Sequence, residues 1–277
     1  MVKRRSIRAL LILSPIAFFY DKGQPRGVMF ESLEEFQKFA NQKLKMGKLE
    51  VKVTFLPMRI DQIEAALTER VGDMIAYGVV ITPDREKRVA FSTPIQTDVT
   101  QIIVTGPGFG PVASLSDLGG KEVYANPLTP YYQNPQKANE ELQKEGKKPI
   151  IIKAADKNLM DDDLVQMVNA GLIPATVTTK QRADLWSQVL DRIQPHPDLV
   201  IASGEQLAWV MRKNNPQLKS CYGGLARFTI HCVEVRARKP LNFAQGITLS
   251  RNLLILIADC SSNLCPKPGS LSHQSQI

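Results

Sequence analysis

The sequence predicts an α/β protein, because apolar strand-like runs alternate with amphipathic helical segments along most of its 277 residues. Two observations lead to this prediction. Between residues 6 and 81 the order is strand, helix, strand, helix, strand, which is typical of a layer with a largely parallel sheet. After "VTQIIVTGPGFGP", residues 99–111, a second alternating set follows. We therefore expect two α/β units joined by a crossover at this Gly/Pro loop.

The opening run "RSIRALLILSPIAFFYDKG", residues 5–23, allows two interpretations. Basic residues before an apolar stretch are typical of a secretory signal peptide. However, no small-x-small cleavage site follows the run; aromatic residues and the turn-like Asp21-Lys22-Gly23 follow instead. The run is also too short to span a bilayer, which needs about 20 apolar residues. We interpret it as the first strand of the fold and expect no convincing signal peptide in this chain.

The remaining elements of the first unit follow from hydrophobic periodicity. Apolar side chains at helical spacing predict amphipathic helices over residues 31–49 and 59–73. Alternation predicts a strand over residues 49–57, and the continuous apolar run "MIAYGVVI", residues 74–81, predicts a buried strand that Thr82-Pro83 ends.

The second unit is predicted in the same way. Its strands are expected at residues 122–125, 148–156 and 172–179, and its helices begin near residues 130, 158 and 180. The segment 207–218, "LAWVMRKNNPQL", is expected to form a further strand followed by the start of a helix.

Composition excludes several functional classes. With 43% hydrophobic and 22% charged residues, the chain is typical of a globular protein. The net charge of +8 is spread thinly, and the sequence shows no dense basic stripe or nucleic-acid-binding motif. We therefore expect no nucleic-acid partner.

Motifs for catalysis, metals and cofactors are also missing from the sequence. The segment "TGPGFGP" lacks the Gly-Lys-Ser/Thr of a phosphate loop, and no G-x-S-x-G is present. The three histidines show no spacing for a metal site or a catalytic triad, and the four cysteines, all beyond residue 220, form no paired C-x-x-C motif. We expect a non-enzymatic protein without catalytic residues, metal or cofactor.

One long motif carries a family resemblance. Residues 72–94 read "GDMIAYGVVITPDREKRVAFSTP", which resembles the signature of the family 3 bacterial solute-binding proteins: G-D, then I-T-P-x-R, then V-x-F-S-x-P. "LGGKEVYANPLTPYY" and "DLVQMVNAGLIPATV" follow in that family's order. More narrowly, "IRALLILSPIAFFYDKGQPRGVMFE" and "VNAGLIP" resemble the solute-binding module of membrane-bound lytic murein transglycosylases of the F group. The resemblance covers residues 6–219.

The resemblance implies a two-lobed, type II periplasmic-binding-protein-like fold. Lobe 1 is expected to hold residues 6–101 and 200–219, and lobe 2 residues 106–195. Residues 220–277 form an atypical, divergent C-terminal tail, because charge, cysteine content and periodicity all change there. A frameshifted or unrelated replacement, disordered at its Ser/Pro/Gly-rich end, and a genuine extra domain both remain open as explanations.

In lobe 1 the leading ligand contact is Arg85. The family's arginine at this place in I-T-P-x-R binds the α-carboxylate of the ligand, and a guanidinium can hold a carboxylate through two parallel hydrogen bonds. The resemblance also assigns ligand contacts to Tyr77, Gly78 and Val80, although the side chain of Val80 cannot form hydrogen bonds. Thr82 either caps the following turn or touches the ligand.

Further contacts are expected around the cleft. Thr129 precedes a predicted helix, where its hydroxyl would either bind an anion or simply cap the helix. Phe18, Phe19 and Tyr20 would form an apolar wall, or belong to the core. The sequence departs from the family at residues 178–180, where Thr-Thr-Lys replaces an aspartate that commonly pairs with the ligand's amino group. Capping and the helix dipole explain the acidic run at residues 161–163.

Two functions follow from these expectations. The first is a non-enzymatic solute-binding protein for a small anionic ligand, amino-acid-like or peptidoglycan-derived, with an ABC transporter permease or the cell wall as its partner. The alternative is the regulatory or targeting module of a lytic murein transglycosylase that lacks its catalytic domain. In both cases the resemblance implies a periplasmic or extracytoplasmic location.

Overall fold

The α/β class is confirmed by the computed structural model, which describes residues 4–215 and 218. The expectation for the tail at residues 220–277 lies outside the described residues. The strands are β1 (Ser6–Ile12), β2 (Phe19–Asp21), β3 (Gln24–Arg26), β4 (Lys52–Met58), β5 (Met74–Val80), β6 (Ala90–Phe91), β7 (Gln96–Thr105), β8 (Glu122–Ala125), β9 (Ile151–Ala154), β10 (Ala175–Thr179) and β11 (Gln194–Met211). The helices are α1 (Val28–Lys43), α2 (Ile60–Thr68), α3 (Pro83–Arg88), α4 (Pro130–Lys144), α5 (Asp161–Ala170) and α6 (Lys180–Trp186).

The opening run forms an interior strand of the sheet, next to the edge strand β4. Strand β1 pairs in parallel with β4 on one side and with β5 on the other. Because successive side chains of a strand point to opposite faces, β1 contributes to two cores. Leu11 packs with Phe36 of α1 on one face, while Leu10 packs with Leu67 of α2 on the other. The interpretation of this run as the first strand is confirmed.

A second layered unit lies around β10. Strand β10 pairs in parallel with β8 and antiparallel with β7. Helix α4 covers one face, where Tyr131 packs with Val177, and helix α5 covers the other, where Leu164 packs with Ile102. Each unit is therefore a sheet between helices.

Strands β7 and β11 connect the two units. They pair with each other, and the sheet continues through them in the order β4-β1-β5-β11-β7-β10-β8-β9. The sequence predicts a crossover at β7, but it misses residues 194–206 of β11, whose prolines and glycine hide any alternation. This segment is extended because it pairs with β7, with several register shifts. We keep the names lobe 1 and lobe 2 as defined above; their exact boundaries stay a prediction.

Two predicted helices are shorter than expected because the chain turns early. The helix predicted over residues 31–49 ends at Lys43, and Lys45 has a φ of 51°. The helix predicted over residues 59–73 ends at Thr68, and Arg70 has a φ of 65°. Hydrophobic periodicity continues past both points, but the backbone turns back toward the sheet.

Gly27 connects the hairpin β2–β3 to α1 in a conformation that other residues rarely adopt. Its φ is 112°, and an added Cβ would lie 2.4 Å from the carbonyl oxygen of Ala17. Gly27→Ala is expected to lower the free energy of unfolding by about 1–3 kcal/mol or more, through backbone strain and overpacking. Urea unfolding would measure this loss. Gly23→Ala is the matched control, since Gly23 also has positive φ but open space around it. Equal losses at both positions would show that the contact with Ala17 does not matter.

Candidate functional site

Arg85 lies at the start of α3, where strand β5 of lobe 1 ends. The hydroxyl of Thr82 accepts a hydrogen bond from the Arg85 backbone amide at 3.3 Å, so Thr82 caps this short helix. The guanidinium is folded back: Nη1 donates to the Val80 carbonyl at 3.2 Å, and Nε lies 3.6 Å from a carboxylate oxygen of Glu64. The Arg85 side chain is 19% exposed. It is therefore held in place but still accessible.

Burial determines the electrostatics of Arg85. It lowers the pKa of the guanidinium, and Arg88 adds to this effect, while the carboxylates of Glu64 and Glu205 oppose it. Burial therefore removes more favourable interaction between the charged guanidinium and water than the two nearby carboxylates replace. A ligand carboxylate would supply a charge-assisted hydrogen bond to this group.

The neighbouring predicted contacts on β5 have partners within the protein. Gly78 lets β5 approach β11 closely, because an added Cβ would lie 3.2 Å from the Leu207 side chain. Val80 is buried and offers its carbonyl to Arg85. Burial raises the pKa of the Tyr77 hydroxyl, and the guanidinium of Arg182, from lobe 2, opposes part of that rise. Tyr77 is partly buried against the core on the α2 side of lobe 1 and interacts with Arg182.

Thr129 occupies the N-cap position of α4, but its hydroxyl does not cap the helix. It donates instead to the Asn126 carbonyl at 2.8 Å, and the residue is buried. Of the two alternatives for this hydroxyl, capping of α4 is therefore wrong, because no amide of the first helical turn donates to it. A contact between Thr129 and a ligand stays a prediction.

The aromatic residues after β1 separate into core and surface. Phe18 is fully buried and stacks on Phe55, with ring centroids 6.0 Å apart. Tyr20 is 50% exposed and meets the edge of Phe18. Phe19 is partly buried in the hairpin. Phe18 is thus a core residue, and the role of Phe19 and Tyr20 as a ligand wall stays a prediction.

A buried ionic cluster at the contact between the lobes was missed by the sequence analysis. We call it the interlobe cluster: Ser14 from lobe 1 with Asp161, Asp162, Arg182 and Trp186 from lobe 2. Arg182 pairs with Asp161 at 2.5 Å and with Asp162 at 3.0 Å. Asp162 also accepts hydrogen bonds from the Trp186 indole at 2.9 Å and from the Ser14 hydroxyl at 2.5 Å. This last contact joins the two lobes directly.

The explanation of the acidic run by capping is correct only for Asp163. Its carboxylate accepts a hydrogen bond from the Met160 amide at 2.8 Å. Asp161 and Asp162 are buried and bind Arg182. Arg182 lies in the first turn of α6, the next helix along the chain. Nothing in the local sequence distinguishes the three aspartates, since only the packing of α5 against α6 brings Arg182 close to two of them.

The interlobe cluster has an excess of negative charge when both aspartates are ionised. Burial raises the pKa of Asp161 to about 6; Arg182 opposes this rise, whereas Asp162 adds to it. For Arg182, burial lowers the pKa, but the two aspartates and Tyr77 outweigh burial and hold the pKa well above its usual range. Arg182 therefore stays charged.

Glu205 of β11 is another polar residue that the sequence analysis missed. Its two carboxylate oxygens accept hydrogen bonds from Gln101 of β7 at 2.6 Å and from Asn134 of α4 at 2.9 Å. Thr179, within the departure from the family at residues 178–180, pairs in register with Gln101 and caps α6 by accepting from the Arg182 amide. Glu205 thus links both crossover strands with α4 of lobe 2.

Residues 4–215 contain neither a metal-binding cluster nor a helix suited to span a membrane. This range holds no group of three or more histidine, cysteine or acidic side chains arranged to bind a metal ion. Nor does it contain a helix that combines the length and the hydropathy needed to cross a membrane.

The sequence matches the bacterial extracellular solute-binding proteins, family 3, over residues 12–223. The chain belongs to this family. The resemblance in residues 72–94 is thereby confirmed, and the family's description places its members outside the cytoplasm.

Two relatives show how this family 3 protein compares with longer proteins. It is 24% identical over 210 residues to the membrane-bound lytic murein transglycosylase F of Shewanella halifaxensis (strain HAW-EB4), a match that covers 74% of this chain and 39% of that protein. It is 33% identical over 86 residues to the probable ABC transporter extracellular-binding protein YckB of Bacillus subtilis (strain 168), covering 31% of this chain and 30% of that protein. The matches thus span well under half of either relative.

Solved structures confirm the two-lobed type II periplasmic-binding fold. An ancestral arginine-binding protein bound to arginine is similar to this chain with a TM-score of 0.60 and 25% identity, and the match covers 81% of this chain and 92% of that one. An ancestral arginine-binding protein bound to glutamine is similar to this chain with a TM-score of 0.59 and 26% identity. That match covers 81% of this chain and 91% of the other.

Proposed function

We propose that this protein is a non-enzymatic, extracytoplasmic solute-binding protein for a small anionic ligand, amino-acid-like or peptidoglycan-derived, whose carboxylate binds Arg85. The ligand enters between the lobes, and a transporter permease receives it. Binding uses fixed polar groups and lobe movement, so no metal, cofactor or covalent step is required.

The geometry of Arg85 is the observation that carries this proposal. The guanidinium is largely buried and is held by the Val80 carbonyl. Its pKa is lowered by burial in spite of two nearby carboxylates. A further anion is therefore still favourable, and the planar fork of nitrogens suits a carboxylate.

The comparisons support a carboxylate on the ligand, without supporting a net negative charge. Arginine and glutamine, the ligands named for the similar ancestral structures, both carry an α-carboxylate. YckB is described as an extracellular-binding protein of an ABC transporter, which supports a permease as partner. Recognition of the carboxylate would be shared across such ligands, while the rest of the cleft would select among them.

Isothermal titration calorimetry with a ligand panel tests the proposal. The panel holds the twenty common L-amino acids, a set of muropeptides and the decarboxylated amine of each amino acid, such as agmatine for arginine. We expect at least one carboxylate to bind and its decarboxylated counterpart to bind at least tenfold more weakly. Equal binding of the two, or no binding by any carboxylate of the panel, would contradict the proposal.

A second candidate function is the regulatory or targeting module of a lytic murein transglycosylase. The observation in its favour is the match to transglycosylase F, which covers 74% of this chain. Sedimentation with purified peptidoglycan sacculi separates the two candidates. Binding to sacculi that muropeptides displace, with no binding of free amino acids, would favour the module; amino-acid binding without sacculus binding would favour transport.

A further inference from the structure

Three arginines converge on one carboxylate at the end of lobe 1 where strands β1 and β5 begin. A guanidinium nitrogen lies 2.5 Å from a carboxylate oxygen of Asp73 in Arg4, 3.2 Å in Arg8 and 3.1 Å in Arg212. Among residues 4–215, Asp73 is the only acid that forms an ion pair with any of these arginines. We call these four residues the arginine cluster.

Two of the guanidiniums are also fixed by main-chain carbonyls. Arg8 Nη2 donates to the Arg70 carbonyl at 2.7 Å, and Arg212 Nη1 donates to the carbonyls of Leu67, at 3.0 Å, and of Gly72. Their positive charge is therefore held in position by the fold. Groups that are ordered beforehand lose less conformational entropy when a partner binds to them.

The shared carboxylate does not neutralise the arginine cluster. Burial raises the pKa of Asp73, but hydrogen bonds from Arg8 and Arg212 and the charge of Arg4 outweigh burial and hold that pKa below its usual value. Asp73 therefore supplies one negative charge at neutral pH, whereas all three arginines stay protonated. Two positive charges are left without a counter-charge from this carboxylate.

The excess charge is accessible to solvent. The side chains of Arg4 and Arg8 are 46% and 29% exposed, whereas the side chain of Asp73 is 7% exposed. An anion that approaches from solvent therefore meets guanidinium groups before it meets the carboxylate.

Fold stability accounts for only part of this arrangement. The buried carboxylate of Asp73 needs a positive partner, and Arg8 and Arg212 provide it from within the structure. Arg4 is half-exposed, and ion pairs of this kind contribute little to stability. A third guanidinium at the same carboxylate also repels the first two. Arg4 is thus the member of the cluster that stability does not explain.

The arginine cluster lies away from the proposed ligand site. Strands β1 and β5 are parallel, and Arg4 and Asp73 come just before them, at the end of the sheet where both strands begin. Strand β11 is antiparallel to β5 and ends here, which brings Arg212 to the same place. Arg85 follows the opposite end of β5. The cluster can therefore bind a partner of its own and leave the cleft free.

We propose that the exposed side of the arginine cluster is a binding site for a phosphate group, with Arg4 and Arg8 as its main donors. The planar fork of a guanidinium offers two parallel N–H donors to two phosphate oxygens. A phosphate dianion would neutralise both excess charges, whereas a single carboxylate would neutralise one. Inorganic phosphate and the headgroups of anionic phospholipids share this chemistry, and separate arms of the experiment distinguish them.

Isothermal titration calorimetry of the full-length chain with sodium phosphate at constant ionic strength tests the site. Charge-assisted hydrogen bonds from two guanidiniums are expected to give a Kd at or below about 1 mM. Arg4→Gln should weaken phosphate binding by about tenfold or more. This variant should stay folded because Arg8 and Arg212 still pair with Asp73. Lys148→Gln, the matched control, removes the same charge from an exposed position of lobe 2 and should change the affinity by less than about threefold.

Co-sedimentation with lipid vesicles identifies the source of the phosphate group. One set of vesicles holds equal parts of phosphatidylglycerol and phosphatidylcholine, and the other holds phosphatidylcholine alone, whose choline group neutralises the phosphate. Binding to the anionic vesicles only, weakened by Arg4→Gln and not by Lys148→Gln, would support the site with a lipid headgroup as its ligand. Binding of inorganic phosphate without vesicle binding would support it with a soluble phosphate as its ligand.

Two outcomes would overturn the inference. One is that the parent binds neither inorganic phosphate nor the anionic vesicles. The other is an equal loss of binding in Arg4→Gln and Lys148→Gln, which would show a general attraction of a positively charged protein to anions and no site at the arginine cluster.

Discussion

Arg182→Met is expected to lower the free energy of unfolding by about 3–5 kcal/mol, because removing one partner of a buried ion pair leaves the other charge uncompensated. Arg182 forms ion pairs with two aspartates of the interlobe cluster, whose side chains are only 4% and 1% exposed. Folded domains are stable by only about 5–15 kcal/mol. Urea unfolding, followed by circular dichroism, would measure the loss.

Arg88→Met is the matched control for this substitution. Arg88 is 62% exposed and pairs with the half-exposed Glu64, so its removal is expected to cost less than about 1 kcal/mol. The loss in Arg182→Met should also be smaller at pH 5 than at pH 7. Burial raises the pKa of Asp161 to about 6, so this carboxyl takes up a proton as the pH falls through that value. Similar losses in the two variants at pH 7 would show that the interlobe cluster adds little to stability.

Arg85→Ala is expected to weaken binding of a carboxylate ligand by about 2–5 kcal/mol, which corresponds to roughly 30-fold to several thousand-fold in Kd. The reason is that the ligand carboxylate would then enter a largely dehydrated place without its ionic partner. Calorimetry with the tightest ligand of the panel would measure the change. The unfolding curve of the variant should stay close to that of the parent, since Arg85 makes only one hydrogen bond through its guanidinium and one long ion pair.

Arg88→Ala tests whether charge alone explains the effect of Arg85. Both arginines lie on α3 and both interact with Glu64, but Arg88 is much more exposed. Its removal is expected to change affinity by less than about threefold. Equal binding by Arg85→Ala and the parent would exclude Arg85 from the site, and equal losses in the two variants would indicate a general electrostatic effect.

Sequence motifs could predict only one part of the candidate site. Arg85 and Thr82 belong to a continuous motif, and the structure shows them joined by the cap of α3. Glu205 and Gln101 belong to no such motif. Their side chains meet across 104 positions of sequence and only because β11 bulges against β7. A bulge changes the direction of a side chain without any periodic signal.

The sequence by itself determined the α/β class, the strand at residues 6–12, the family and the motif that contains Arg85, because each depends on neighbouring residues that interact locally or follow a short repeat. Tertiary structure alone decided which polar groups meet between the lobes. Ser14 and Asp162 are 148 positions apart, and Arg182 reaches two aspartates on another helix. The energies of such contacts depend on burial and on three-dimensional distance, and neither can be determined from the order of residues along the chain.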